Sequence, residues 1–310
     1  MEILTLSEYL KKEYGQKVYK ISLSAGCSCP NRDGTAGFSG CTFCSEGGSG
    51  EFAKPLTGSR TIEQEIQEAK ALVDRKIPAA IPEDQRKYIA YFQSYTNTYG
   101  DTKRLYELYG KVIRRPEIAA LSIGTRPDCI DDEKLSMLKK LQAVKPVWVE
   151  LGLQTMHDKT AQKINRGYPT AVFAECYQRL KAAGFTVVVH VILGLPGESR
   201  EDMLDTVRYL AQLQPRLDGI KLQMLNILKG TQLAEEYREH PFPQMSMEEY
   251  CSLVAECLSL LPEDVVVHRM TGDGPKALLV SPLWAGDKKK VMNLLRKKIR
   301  ETCRQQSVID

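Results

Sequence analysis

The 310-residue chain has no apolar run approaching the roughly 18 residues that a membrane-spanning helix needs, and its opening, MEILTLSEYLKKEYGQK, scatters charge through the apolar positions as a secretory signal does not. A cytoplasmic protein with no membrane partner is expected. Composition is free of bias, with 43% hydrophobic and 26% charged residues, which excludes disorder, collagen-like repeats and a coiled coil. No GxGxxG follows any apolar run, so a dinucleotide-binding turn is absent. A secreted disulfide framework is absent too: the nine cysteines are odd in number, and four crowd into residues 27–44 while the rest are scattered. At this length a core can be buried without such staples.

The formal charge of +4 is unevenly placed. Residues 288–304, KKKVMNLLRKKIRETCR, hold eight Lys or Arg and one acid, which leaves the remaining chain at 35 basic against 38 acidic residues. A local basic run is commonly a solvated helix face. On a near-neutral body it is also where a polyanion docks first, and Lys288, Lys289, Lys290, Arg296, Lys297 and Lys298 are the RNA-contact candidates.

Apolar, β-branched segments alternate with helical patterns in six βα units. The predicted strands are 17–24, 87–94, 118–124, 147–153, 185–194 and 219–227; the helices between them begin near residues 61, 101, 131, 170 and 199, with Asp101, Asp131 and Ser199 as N-caps. Without a dinucleotide turn or an evident reversal of strand order, the pattern predicts an α/β fold of partial-barrel type, a TIM-like (β/α)6 arrangement over residues 1–230. A C-terminal extension over 231–310 carries the basic tail, the whole forming one structural unit. In such a barrel the chemistry sits past the C-terminal ends of the strands. The polar, glycine-rich segments SAGCSCPNRDG, QSYTNTYGD, GTRPDC, GLQTMHD, GLPGES and NILKGT all fall there.

The first of these continues as CSCPNRDGTAGFSGCTFC, with thiols at Cys27, Cys29, Cys41 and Cys44. A C-x2-C pair with a further cysteine returned by a glycine-rich loop suits a soft metal or an iron–sulfur cluster. Zinc is the alternative, since four thiolates close a tetrahedral site, although the C-x-C spacing of Cys27 and Cys29 is tighter than zinc sites use.

The loop resembles the cluster loop of radical SAM enzymes. The chain as a whole resembles their YhcC/YtqA (MnmL) group, related to the catalytic subunit of Elongator. The similarity runs from YGQKVYKISL through CPNRDGT, GCTFC, YFQSYTNTYG, IGTRPDC, ELGLQTMHDKT, INRGY, HVILGLPGE and GIKLQMLNILKGT to VVVHRMTGDGP. It implies that Cys29, Cys41 and Cys44 hold a 4Fe-4S cluster whose open iron takes S-adenosyl-L-methionine, the source of a 5′-deoxyadenosyl radical. Cys27 departs from the three-cysteine pattern and is read as a bystander held by the loop, with a spare ligand and an oxidation-prone thiol as the alternatives. The resemblance also implies cofactor contacts from Gln93, Ser94, Thr125, Glu150 and Gln154, from Arg166 as a bidentate grip on the methionine carboxylate, and from the backbone at Gly194. Glu150 and Gln154 share one strand face by period-two alternation. Cys129, as a hydrogen-atom donor, and His190 are further catalytic candidates. Tyr95 and Tyr99, past a strand end, are placed to stack on a nucleobase or to pack.

The activity implied by the resemblance is modification of tRNA at the C5 side chain of the wobble uridine, of the carboxymethylaminomethyl to aminomethyl type, with flavodoxin or ferredoxin as electron donor. Two alternatives remain at the level of sequence: a radical SAM enzyme acting on a small molecule or porphyrin, and a non-enzymatic, metal-stabilised RNA-binding protein.

Overall fold

The computed structural model describes residues 3–48, 61–272 and 274–306. The elements run α1 (Leu6–Tyr14), β1 (Tyr19–Leu23), α2 (Ile62–Asp74), β2 (Tyr88–Phe92), α3 (Thr102–Ile113), β3 (Ile118–Thr125), α4 (Asp132–Gln142), β4 (Val147–Gln154), α5 (Asp158–Lys163), α6 (Thr170–Ala182), β5 (Thr186–Leu193), α7 (Arg200–Ala211) and β6 (Gly219–Met224). They continue through β7 (Ile227–Leu228), α8 (Gln232–Glu239), α9 (Met247–Ser259), β8 (Val266–Arg269), β9 (Leu279–Ser281) and α10 (Lys288–Gln306).

All six expected strands form, and they lie side by side in chain order as β1-β2-β3-β4-β5-β6, every pair parallel. A seventh strand, β8, joins parallel to β6, so the half-barrel has seven strands rather than six. Four residues between loops give too short an apolar run to announce a strand. β7 and β9 form a separate antiparallel pair. The expected caps hold: the side chains of Asp101, Asp131 and Ser199 accept the backbone N–H groups of Arg104, Lys134 and Asp202, which would otherwise be orphaned.

Period-two alternation sends the two faces of the sheet to different surroundings. Ile21, Leu23, Leu121, Ile123, Val149, Leu151, Val187 and Val189 pack outward against the helices in one continuous core. Each such side chain contributes about 1.5–3 kcal/mol by leaving water. On the concave face, Ile89, Ala120 and Trp148 meet Leu10 of α1. The bridge between Thr5 and Val267 holds this helix beneath the barrel, and so α1 closes its N-terminal end with apolar side chains. The open, C-terminal end is left to the loops.

Candidate active site

The loop after β1 brings Cys29, Cys41 and Cys44 into the wall of one cavity of about 240 Å³. Its shape comes from local hydrogen bonds and from clasps by distant residues. Arg32 donates to the carbonyls of Cys44 and Ser45 at 2.8 and 2.5 Å. Asn31 Nδ2 donates to the Asn165 carbonyl at 2.6 Å and lies 3.9 Å from Cys41 Sγ, while Asn165 Nδ2 donates to the Gly40 carbonyl at 2.7 Å. A Cβ at position 37 would lie 2.3 Å from Asn31 Oδ1, so only glycine lets the loop fold over this asparagine. Among the described residues three that are not glycine, Tyr95, Gln154 and Asn165, take left-handed backbone with φ of 58°, 62° and 51°, and all three border the cavity or clasp its loop. Such conformations persist where surrounding structure enforces them.

Cys27 faces elsewhere. Its Sγ lies 3.6 Å from Arg104 Nη2, outside the cavity wall. A closed four-thiolate zinc site needs that thiol and does not have it. Among the described residues no three His, Cys, Asp or Glu side chains converge on a point where a single ion would sit. Three thiols in the wall of one cavity suit a group that takes one thiolate at each of three metal atoms. Burial above all, with Cys44 adding to it, pushes the Cys41 thiol up to about 12, a cost that a cationic centre would relieve.

Beneath the cysteines the barrel interior carries a charged layer around Glu150, a residue 1% exposed. Its Oε1 accepts from Lys20 at 2.6 Å and from Ser122; its Oε2 meets His190 Nε2 at 2.6 Å and Lys221 Nζ. Burial opposes the charge, but the two lysines and His190 outweigh it and hold the carboxyl well below its ordinary range. His190 is drawn down to about 4 by burial first, then by Lys221. Tyr91 closes the layer, accepting from Lys221 Nζ at 3.0 Å.

Gln93, Thr125, Glu150, Gln154 and His190 line the same cavity as the three cysteines. The remaining candidates depart from expectation. Arg166 does not line it: its guanidinium, 0% exposed, donates to the carbonyls of Leu153, Thr155 and Tyr168 and to the side chains of Asp158 and Thr170, so no donor remains for a carboxylate ligand. It is a clamp on the β4–α5 turn. Glu150 lines the floor, yet four donors fill the four lone-pair sites of its carboxylate, so it organises the cations around it instead of contacting a cofactor. Ser94 is buried outside the cavity wall. Gly194 is also outside it; at φ +92° it sits under Met245, whose Cε a Cβ would meet at 3.0 Å. Cys129 points to Asp128 Oδ1 at 3.7 Å, and burial raises its thiol far above the ordinary range. Tyr95 lies in the wall beneath Arg32, and Tyr99 pairs with Thr35 at 2.8 Å.

The basic tail is the amphipathic helix α10. Val291 and Leu295 are buried, and Lys288, Lys289, Lys290, Arg296 and Lys297 are on the exposed face. Lys298 is half-buried and paired with Glu248 and Glu301.

Sequence reasoning missed Lys20, Lys221, Asn31 and Arg126. A lysine at the centre of the apolar strands YKISL and GIKLQM was the available signal, because a parallel strand covered on both faces seldom carries one. Arg126 pairs with Asp128 through two contacts, at 2.9 and 2.6 Å, and stacks on Tyr168. It is Arg126, not Arg166, that borders the cysteines.

A seven-stranded parallel half-barrel with three thiols at the mouth is the architecture of a radical SAM protein. The Radical SAM superfamily domain matches residues 29–210 and the Radical_SAM C-terminal domain residues 217–301. The chain is 38% identical to YtqA of Bacillus subtilis over 95% of its own length and 88% of that protein's. It is 37% identical to YhcC of Escherichia coli over 89% and 85%. The solved structure of the archaeal Methanocaldococcus infernus Elp3 superposes with a TM-score of 0.62 at 20% identity, covering 76% of this chain and 58% of that one, a likeness of fold. The chain belongs to the radical SAM superfamily, a family of enzymes that implies a 4Fe-4S cluster and S-adenosylmethionine.

Proposed function

We propose that this chain is a radical SAM enzyme that modifies tRNA at the C5 side chain of the wobble uridine, converting a carboxymethylaminomethyl to an aminomethyl group. The observation that carries the reading is the placement of Cys29, Cys41 and Cys44 around one cavity while Cys27 turns to Arg104.

Those three thiolates would hold the cluster. When bound, the cluster and S-adenosylmethionine supply one-electron chemistry that removes a hydrogen atom from an unactivated carbon. Gln93, Thr125 and Gln154 line the cavity beside the cysteines and offer amide and hydroxyl groups to the polar parts of the cofactor. Glu150, with Lys20 and Lys221, fixes the charge of the floor, and the apolar plug of α1 closes the barrel below it. Similarity to the Elongator-related proteins and the exposed basic face of α10 support tRNA as the substrate, with flavodoxin or ferredoxin supplying the electron.

The test is the nucleoside content of bulk tRNA from a strain lacking the gene. Accumulation of the carboxymethylated nucleoside at the expense of the aminomethyl form is expected, with reversal by the intact gene and not by its Cys41→Ala form. An unchanged nucleoside profile would sink the assignment.

A further inference from the structure

Asn31 stands two residues after Cys29 in the loop that carries the three thiols, and it is 0% exposed. An asparagine amide has two N–H donors on Nδ2 and two lone pairs on Oδ1. One donor goes to the Asn165 carbonyl at 2.6 Å. That contact fixes which way the amide faces, because the flipped amide would set two carbonyl oxygens against each other. Nδ2 keeps a second N–H, and its acceptor is Cys41 Sγ at 3.9 Å, a length that the large radius of sulfur permits.

The orientation is held at a cost. Oδ1 is buried and has no hydrogen-bond partner, which is unfavourable for an amide oxygen. Two glycines make room for it: a Cβ at position 37 would lie 2.3 Å from Oδ1, and one at position 167 would lie 2.9 Å from it. Clasping the Asn165 carbonyl needs one donor only, and accounts for neither the second N–H nor the stranded oxygen. The sulfur gives the second N–H its use. One-electron reduction at the site adds negative charge to a thiolate ligand, and an N–H dipole aimed at that sulfur stabilises the more negative state, the more so where water is excluded.

We propose that Asn31 is a positioning residue for electron entry, its second amide N–H on Cys41 Sγ raising the reduction potential at the three-cysteine site. One electron then passes more readily to that site from a donor of the flavodoxin or ferredoxin class, which is oxidised in turn, and no bond is formed or broken. The inference rests on the reading of Cys29, Cys41 and Cys44 as cluster ligands and is independent of the RNA substrate.

The experiment is a potentiometric titration, followed by electron paramagnetic resonance, of the reconstituted full-length protein and of its Asn31→Ala and Asn165→Gly variants. Asn165→Gly removes the Nδ2 clasp on the Gly40 carbonyl and suits the left-handed backbone at that position, yet keeps the backbone carbonyl that Asn31 uses. It therefore loosens the loop without removing the N–H at Cys41. At a fixed potential, Asn31→Ala should lower the ratio of reduced to oxidised cluster about tenfold, as loss of a charge-assisted hydrogen bond implies, which is about 59 mV for one electron. Asn165→Gly should leave that ratio in place. An unmoved potential in an Asn31→Ala protein that holds its cluster overturns the inference, and so do equal shifts in both variants, which assign the effect to loop packing. If Asn31→Ala holds no cluster, the intact protein, isotope-labelled at the asparagine side-chain nitrogen, decides. A hyperfine coupling of the reduced cluster to that nitrogen supports the contact, and its absence overturns it. No 4Fe-4S signal from the intact protein would sink the cluster reading itself, whereas a cluster with an unmoved potential sinks this inference alone.

Discussion

The two faces of β4 differ in what they ask of their side chains. Val147, Val149, Leu151 and Leu153 face the helices, each no more than 1% exposed, and differ little in chemistry. The other face changes with depth. Trp148 lies in the apolar plug with Leu10, Glu150 in the ionic layer, and Gly152 and Gln154 in the wall of the cysteine cavity. One strand therefore delivers uniform packing to one side and a graded sequence of apolar, charged and open polar positions to the other. Stability resides largely on the uniform side, and chemistry appears where the graded side meets the loops.

The comparison is sharpened first by the largest expected effect. Cys29→Ala, Cys41→Ala or Cys44→Ala should each abolish cluster incorporation in a folded protein, whereas Cys27→Ala retains it; iron and sulfide analysis with circular dichroism separates the two outcomes. Glu150→Gln keeps the volume of the inner face but removes its charge, leaving Lys20 and Lys221 buried without their carboxylate. A loss of about 3–5 kcal/mol in urea unfolding is expected. On the outer face volume decides: Leu151→Ala should cost about 2–5 kcal/mol and Leu151→Met less than about 1.5 kcal/mol. Similar costs for Glu150→Gln and Leu151→Met would break the distinction between the faces.

A pH profile separates the faces further. Burial holds His190 at about 4 against an ordinary 6.5. Between those values the unfolded chain binds a proton that the folded chain refuses. Stability therefore falls as pH drops from 6.5 toward 4, and this group adds no slope above that window. The buried His268, also held well below its ordinary value, gives a slope of the same sign. His190→Gln should therefore make the profile shallower across the window without abolishing the slope, while Leu151→Met leaves its shape unchanged.

The smallest effect lies outside the barrel. Replacing Lys289, Lys290, Arg296 and Lys297 with Gln should leave unfolding unchanged and weaken tRNA binding, with the salt slope shallower by about 0.9 for each phosphate that is no longer neutralised. An unchanged slope would remove α10 from the interface.

Much of this was legible in the sequence. Six strands stand within a few residues of their predicted bounds because long β-branched runs and capped helices leave few alternatives, and the three cysteines share a cavity as the loop pattern implies. β8 escaped because Val266–Arg269 is short and is preceded by a helix pair. Arg166 misled for a physical reason: a guanidinium beside a glycine in NRGY reads as a ligand grip, but the turn after β4 presents the Leu153 and Thr155 carbonyls to it, and its Nη1 donates to both. The pairing of Lys20 and Lys221 with Glu150 spans strands far apart in the chain, and no local spacing encodes it.

The most direct measurement is electron paramagnetic resonance of the anaerobically reconstituted, reduced protein with and without S-adenosylmethionine. A 4Fe-4S signal that shifts when S-adenosylmethionine is added, and that is lost in Cys41→Ala but kept in Cys27→Ala, is the result predicted by three thiolates around an open iron. No cluster signal from folded protein, with zinc bound in its place, would contradict it.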